Sequence, residues 1–550
     1  MKKTILYLLL LACFTKAGAQ DVNEIEKISN ANSDDHATAI MPSAESLNYS
    51  IMLLNPDYRN ILRSRKDAAP INIIKSSLTQ DKKHGDFLHY LGNEHQSLHI
   101  GGSGNFSPKG LGTLHINASY NRSHRNNISW SIVTEPEKYW PYVSTDSIGG
   151  NFKYESYRFD TDYGINLGKI NIGAAFNFSG TQSYRETDPR VLTNLTKAGA
   201  KLSASLINNG HYYSLAMGLG RDKQYQTMSY WRPGQQDRFF SLHGFGLYDT
   251  YNSPVSFGNS RMNYIYHIQG RITYQGPVNR MWNITASLGY RKDMLETEER
   301  NICNLYNVDT HTISPYLGII KNGHKTTWHF TNQVELSLRQ GKENFYDRYL
   351  SDPLNNIYDY RKIATRRGYK YHKMRSSTQL GFTNSPNPRV SFGLSAGVLT
   401  HYMKEAHALD DYMTETFSAT PYLKTMIKYR HKAGTIDLRL AYGRHTMLRD
   451  KYQVDIHNTE IQHLDFQQSF GPYAYRAADY DMTLATISYA HNLGRQTIIF
   501  DIHAKLLRGK RLKGVEYTGE IGYKSSAPTI TPEADRHNEE QVGTSLSIVF

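Results

Sequence analysis

The stretch Lys325-Thr326-Thr327-Trp328-His329-Phe330-Thr331-Asn332-Gln333-Val334-Glu335-Leu336-Ser337-Leu338-Arg339 changes character at every second residue. Trp328, Phe330, Val334, Leu336 and Leu338 fall on one side, with Asn332 the exception. Thr327, His329, Thr331, Gln333, Glu335, Ser337 and Arg339 fall on the other. A strand points successive side chains to opposite faces, so this period of two defines an extended segment with one apolar and one polar face. The same alternation recurs at Val390, Phe392, Leu394, Ala396 and Val398, at Ile436, Leu438, Leu440 and Tyr442, and at Ile498, Phe500, Ile502, Ala504 and Leu506.

Working outward, the connections alternate in length. Short turns carry the Gly, Pro or Asn that a tight reversal needs: Ser107-Pro108-Lys109-Gly110, Gly168-Lys169, Asn208-Asn209-Gly210 and Gly276-Pro277-Val278-Asn279. Lys321-Asn322-Gly323, Ser385-Pro386-Asn387-Pro388, His431-Lys432-Ala433-Gly434 and Asn492-Leu493-Gly494 continue the series. Between these hairpins lie long polar stretches near residues 124–150, 185–197, 222–260, 293–311, 340–373, 403–415, 449–478 and 508–540. Alternating short and long connections are the plan of a transmembrane antiparallel up-and-down β-barrel, with short periplasmic turns and long extracellular loops. Eight hairpins and the closing segment 541–550 predict 16–18 strands, and a strand at 71–78 that pairs the ends makes 18 the favoured number. Two soluble sandwiches or a propeller would also alternate. A closed barrel accounts in addition for aromatics near the ends of the apolar faces, at Tyr264, Tyr266, Tyr274, Trp282, Tyr290 and Tyr442.

Composition agrees. The 550 residues include 41 Tyr, 20 Phe and 5 Trp, which excludes a disordered chain. Hydrophobic residues make up 39% and charged residues 21%, and beyond the N-terminus there is no apolar run of the length a membrane helix needs. Lys2 and Lys3, the apolar residues 5–12 and Ala17-Gly18-Ala19 read as a cleavable signal peptide over 1–19. Leu10-Leu11-Ala12-Cys13 leaves lipidation at Cys13 as a rival reading. Removing the leader takes three lysines and no acid, lowering the formal charge from +13 to +10. Cys303 is then the single cysteine, so no intrachain disulfide forms. The charges are scattered without a basic run among stacking aromatics, so nucleic acid is not an expected partner. Residues 20–68 read as a periplasmic extension or partial plug, and residues 69–550 as the barrel.

The signal and the terminal strand Ser545-Leu546-Ser547-Ile548-Val549-Phe550 resemble those of Gram-negative outer-membrane β-barrel proteins. Tyr139-Trp140-Pro141-Tyr142-Val143-Ser144-Thr145-Asp146-Ser147-Ile148-Gly149-Gly150 and Tyr184-Arg185-Glu186-Thr187-Asp188-Pro189-Arg190 resemble, more narrowly, an uncharacterised Bacteroidetes barrel family of unknown function. The broader resemblance implies insertion in the bacterial outer membrane among its lipid and lipopolysaccharide. It also implies recognition of the strand ending in Phe550 by the outer-membrane assembly machinery.

The polar faces supply the candidate lumen lining: His267, Arg271, Arg291, His329, Glu335, Arg339, Asp437, Arg439, Asp501, His503 and Lys505. Both signs are present, so the lining is either a mixed-charge pore for small polar solutes or a closed lumen held by cross-strand ion pairs. Trp140 and Tyr142, with Arg190, are candidate loop contacts. The Trp140-Pro141-Tyr142 run could stack on sugar rings, fold inward as a constriction, or pack on its own aromatics. The 23 histidines include His84, His89, His95 and His99, then His401, His407, His457 and His463, without zinc-motif spacing. Metal or haem capture by loop histidines is therefore a minor alternative, and no cofactor is expected. Asp34-Asp35-His36 and Asp455-Ile456-His457 are the nearest approach to a catalytic pairing, and no enzyme is expected. Gly101-Gly102-Ser103-Gly104 reads as a bulge or kink within a strand. Three readings follow: a channel or uptake and binding component for small polar solutes, a closed-lumen barrel working with a partner lipoprotein or transporter, and a rim enzyme or metal-capture protein.

Overall fold

The computed structural model describes residues 72–549 apart from 86, 107, 109–110, 147, 232–238, 250–259, 300–302, 409–411, 454–477, 494–495 and 510–537. The readings placed on residues 1–68, Cys13, His457, His463 and Phe550 lie outside the described residues. The strands in chain order are β1 (Ile73–His84), β2 (Glu94–Phe106), β3 (Thr113–Ile128), β4 (Ser144–Asp146), β5 (Gly150–Leu167), β6 (Ile170–Arg185) and β7 (Arg190–Asn208). Next come β8 (His211–Ser229), β9 (Phe239–Leu242), β10 (Tyr248–Asp249), β11 (Ser260–Pro277), β12 (Trp282–Glu299), β13 (Cys303–Asn322) and β14 (Thr326–Asp352). The last are β15 (Ile357–Asn387), β16 (Val390–His407), β17 (Met413–His431), β18 (Gly434–Gln453), β19 (Tyr480–Leu493), β20 (Gln496–Gly509) and β21 (Asn538–Val549), and a short helix α1 (Pro136–Tyr139) precedes β4.

Eighteen of these strands form one closed antiparallel barrel. Each pairs with its neighbour in the barrel order, and β1 pairs with both β2 and β21, Ile73 lying opposite Ser103 on one side and Val549 on the other. Closure leaves no free ladder edge, the condition for a sheet that meets lipid. No helix among the described residues is long and apolar enough to cross a membrane.

The register sends the apolar face outward. Leu202, Met217, Leu219 and Ile272 are each more than 60% exposed. Aromatics bracket this band. Tyr213 and Tyr274 meet near the short turns, with ring centroids 5.3 Å apart, and Tyr264 and Tyr266 lie toward the other end. Tyr266 and Tyr274 are eight residues apart on β11, about 20 Å along the axis for a strand tilted by about 40°. The polar face turns inward, where Gln224, Gln226 and Thr297 are buried.

Two expectations change. The polar stretches 185–197, 293–311 and 340–373 are mostly strand rather than loop. β14 and β15 continue as a two-stranded hairpin whose turn is only 353–356. The physical reason is that above an apolar layer both faces of a strand are wet, so alternation disappears while the ladder continues. The glycines of β2 make no bulge: Gly101, Gly102 and Ser103 keep unbroken register with Lys75, Ile74 and Ile73.

Candidate functional site

One connection does not stay outside. Between β3 and β5 the chain turns into the barrel, and Trp130 takes a left-handed φ of 58° at the entry. At the exit Gly149 has φ 69°, and a Cβ there would stand 2.4 Å from the Ile128 carbonyl oxygen, so only glycine fits. The intervening residues 131–146 form α1 and then β4, which pairs with β9 and, through it, β10. This three-stranded sheet lies against the inner wall.

Tyr142 is its centre. Its ring stacks on Tyr306 of β13 with centroids 4.4 Å apart and planes 7° apart, and His243 closes edge-on at 5.5 Å. Gly341 of β14 makes room, since a Cβ would stand 2.8 Å from the Tyr142 hydroxyl. Tyr139, Val143, Leu242, Leu295 and Leu305 belong to the same buried cluster, with Val133, Ile265, Cys303 and Val308. Burial pushes the Tyr139 and Tyr142 phenols well above their usual range, so both are neutral.

An irregular segment inside a barrel needs partners for its backbone. The wall supplies them. Gln226 Nε2 donates to the Ile132 carbonyl at 3.0 Å, and the Thr134 amide donates to Gln224 Oε1 at 3.2 Å. Arg339 Nη1 donates to the carbonyls of Trp140 at 2.9 Å and Glu137 at 3.1 Å. Arg261, fully buried and paired with Glu299, donates to Ser144 Oγ at 2.6 Å and Ser241 Oγ at 3.0 Å, tying β4 and β9 to β11. Arg185 forms a buried ion pair with Asp146 at 3.0 Å. On the far side Trp140 Nε1 donates to Glu405 Oε1 at 2.9 Å, as does the Tyr369 hydroxyl at 2.6 Å. His243 meets Glu343 at 3.0 Å, and Arg366 meets the same carboxylate at 2.5 Å.

A chain of opposite charges runs from the helix along the wall. Glu135 pairs with Lys197 of β7 and with Lys138 at 2.9 Å. Lys138 lies 3.6 Å from Asp222 of β8, which lies 3.1 Å from His267 of β11. His267 reaches Asp293 of β12 at 2.6 Å, and Arg291 shares that carboxylate at 2.6 Å. Burial raises the Glu135 pKa, but Lys138 and Lys197 outweigh it and hold the carboxyl below its usual 4.5. The Lys138 ammonium is lowered by burial, then raised beyond its usual value by Glu135 and Asp222.

The lumen candidates all lie on inward positions of the register, in three groups. Arg339 contacts the inward segment directly, and His267 and Arg291 belong to the charge chain that runs from it along the wall. Arg271, His329 and Glu335 lie on the same wall toward the short turns. Arg271 donates to Ser287 and Ser314 at 3.2 and 3.4 Å, His329 contacts Gln379 at 3.1 Å, and Glu335 stands opposite Arg375. Asp437, Arg439, Asp501, His503 and Lys505 line the opposite wall. There Arg439 pairs with Asp437 at 3.1 Å, Ser545 donates to Asp501 at 2.8 Å, Lys505 pairs with Glu539 at 2.5 Å, and the His503 ring lies over Gly543. Tyr142 is only 1% exposed and Trp140 half-buried, so neither presents a free ring at the surface. Arg190 is exposed at the outer rim, 3.3 Å from Asp188 and 4.8 Å above the Trp231 ring. Sequence reasoning missed Arg185, Asp222, Arg261, Glu299, Glu343 and Glu405. Their signal was a polar residue at every second position past the end of the apolar run. Among the described residues no three His, Cys, Asp or Glu side chains are grouped as metal ligands.

The architecture defines a class: a closed eighteen-strand barrel with a lipid-type outer face and one connection folded into its lumen. The chain belongs to a family of unknown function, DUF6850, whose sequence profile matches residues 67–550. No curated protein matches it. Among solved structures it is similar to BauA, the ferric preacinetobactin receptor from Acinetobacter baumannii, at 8% identity and TM-score 0.38, covering 87% of this chain and 80% of that one. It is similar to the FrpB iron transporter from Neisseria meningitidis at 9% identity and TM-score 0.37, covering 89% and 83%. The ferric yersiniabactin uptake receptor FyuA from Yersinia pestis follows at 9% identity and TM-score 0.34, covering 88% and 80%.

Proposed function

We propose that this protein is an outer-membrane barrel that passes or binds small polar solutes through its lumen, with the inward-folded segment 131–148 as its constriction and gate. The observation that carries the reading is the fastening of that segment to the inner wall from β6 to β16, with both signs of charge at the narrowed level. Mixed charge around a constriction selects hydrated polar solutes and slows apolar ones. The apolar belt bracketed by tyrosines supports placement in a membrane, and the leader-like residues 1–19 support export to the outer one. The narrower resemblance of the Tyr139–Gly150 and Tyr184–Arg190 stretches supports a Bacteroidetes origin. In the same reading the chain has no catalytic role, and assembly uses the strand that ends in Phe550.

Solute entry into proteoliposomes tests this. Wild-type protein admits small sugars and amino acids with rates that fall with size, and a variant with 131–147 replaced by a Gly-Ser linker admits larger ones. Absence of flux through both proteins, each shown to be inserted by heat-modifiable gel mobility, would remove the channel reading and leave a closed binding barrel.

A further inference from the structure

The outer wall carries a second feature that the lumen does not use. On β8 the exposed apolar run ends at Leu219, 65% exposed, and the next two outward positions toward the long connections are Arg221 and Lys223. On β11 the run ends at Ile268, and the next outward positions are Tyr266 and Tyr264. On β12 it ends at Leu288 and Tyr290, and Lys292 follows. The register joins these positions: Arg221 is opposite Tyr266, Lys223 opposite Tyr264, and Ile268 opposite Lys292.

The cations rest on the rings. Arg221 lies 4.7 Å from the Tyr264 centroid and 5.3 Å from that of Tyr266, and Lys223 lies 5.8 Å from that of Tyr264. Such stacking holds the long side chains in place without consuming their charge. Among the described residues no carboxylate lies within salt-bridge distance of Arg221, Lys223 or Lys292, although Glu296 of β12 stands opposite Tyr264 and Glu298, one outward position further on, is felt electrostatically by Arg221. Several outward cations toward the long connections on other strands are paired, whereas Lys370 and Lys404, unpaired like these three, have no aromatic ring beneath them among the described residues. Lys153 meets Glu186 at 2.7 Å, Arg190 meets Asp188 at 3.3 Å, and Lys342 meets Asp309 at 3.1 Å.

We infer that this patch docks one phosphorylated glycolipid of the outer leaflet. The inference rests on the membrane reading above, because the apolar band sets the depth at which phosphates lie. The patch begins where the acyl region ends, so a lipid whose chains lie on Leu219, Ile268 and Leu288 brings its headgroup phosphates to the cations. Arg221 and Lys292 are on strands two apart and one dyad offset, about 12 Å by strand spacing and rise. A disaccharide headgroup with a phosphate at each end can bridge that gap. Arginine supplies bidentate donors to one phosphate and the lysines supply point charges.

The test uses the detergent-solubilised full chain and native mass spectrometry with diphosphorylated lipid A, its fully dephosphorylated form, and inorganic phosphate as competitor. Wild-type protein retains the diphosphorylated lipid. The triple variant R221Q/K223Q/K292Q retains it about tenfold less or weaker still, as loss of roughly three surface charges requires. R221K retains it, and the distant outward variant K370Q/K404Q behaves as wild type. Equal retention by the triple variant, or equal retention of the dephosphorylated lipid, overturns the proposal. Displacement by inorganic phosphate alone overturns it too, since the site would then take any free anion. Heat-modifiable mobility in the same samples reports the barrel itself, so a failure of the membrane reading is seen separately.

Discussion

Two outer connections of this barrel do opposite things. The segment 129–149 enters the lumen and buries Tyr142 to 1% exposure, whereas the β14–β15 hairpin projects away and leaves Leu354 96% exposed. Both are polar and rich in aromatics. The difference lies in how each satisfies its backbone. The hairpin pairs with itself, from Asn344 opposite Thr365 to Asp352 opposite Ile357, and needs no wall. The inward segment has a single helical turn and a three-residue strand, so its remaining amides and carbonyls depend on Gln224, Gln226 and Arg339. A connection folds inward where the wall offers donors and acceptors for irregular chain.

The comparison can be broken from either side. The largest effect is expected at Arg261. Arg261→Met strips Glu299 of its guanidinium partner and β4 and β9 of their shared donor, a loss of about 3–5 kcal/mol in the hold on the segment. Hydrogen exchange of residues 131–148 rises strongly while exchange in β17–β20 is unchanged. Tyr142→Ala removes the ring stacked on Tyr306 at a cost of about 3–5 kcal/mol and gives the same exchange pattern. Trp140→Phe keeps the ring and deletes the donor to Glu405, a smaller loss of about 1.5–3 kcal/mol, seen as faster proteolysis of the segment.

Acid gives a graded version. The Glu135 carboxyl is held below its usual 4.5 in the folded segment, so its stabilisation is full above that value and is lost as pH falls through the lowered one. On the channel reading, conductance is therefore steady above the usual carboxylate value and rises as pH falls through the lowered one, and Glu135→Gln flattens the part of that rise due to this residue. The smallest effect is expected outside. Replacing 349–359 by an Asn-Gly turn leaves stability within about 0.5 kcal/mol and solute flux unchanged.

The barrel was legible because lipid demands a strict pattern: Leu336 and Leu338 must look out while Ser337 and Arg339 look in. Closure through β1 was harder to read, since the outward positions of Ile73–His84 include Ser76, Gln80 and Lys82 as well as Leu78. The same alternation put His267, Arg291 and Arg339 on the polar face of their strands, and Arg339 and His267 are there found in the contacts that run to segment 131–146. The inward fold of the β3–β5 connection was not legible. Tyr139-Trp140-Pro141-Tyr142 could be noticed as unusual, but whether it meets solvent or wall depends on Arg261, Glu343 and Glu405, which are distant in sequence. Those residues sit where strands rise past the apolar layer and resemble loop. Glu135 and Lys138 gain meaning only beside Lys197 and Asp222.

Single-channel conductance of the wild-type chain against the chain with 131–147 replaced by a Gly-Ser linker bears most directly on the central claim. The account predicts stepwise currents from both, several-fold larger when the segment is gone, with weaker ion selectivity. Equal conductance from the two proteins would mean that the segment does not set the narrowest level of the lumen, and would contradict it.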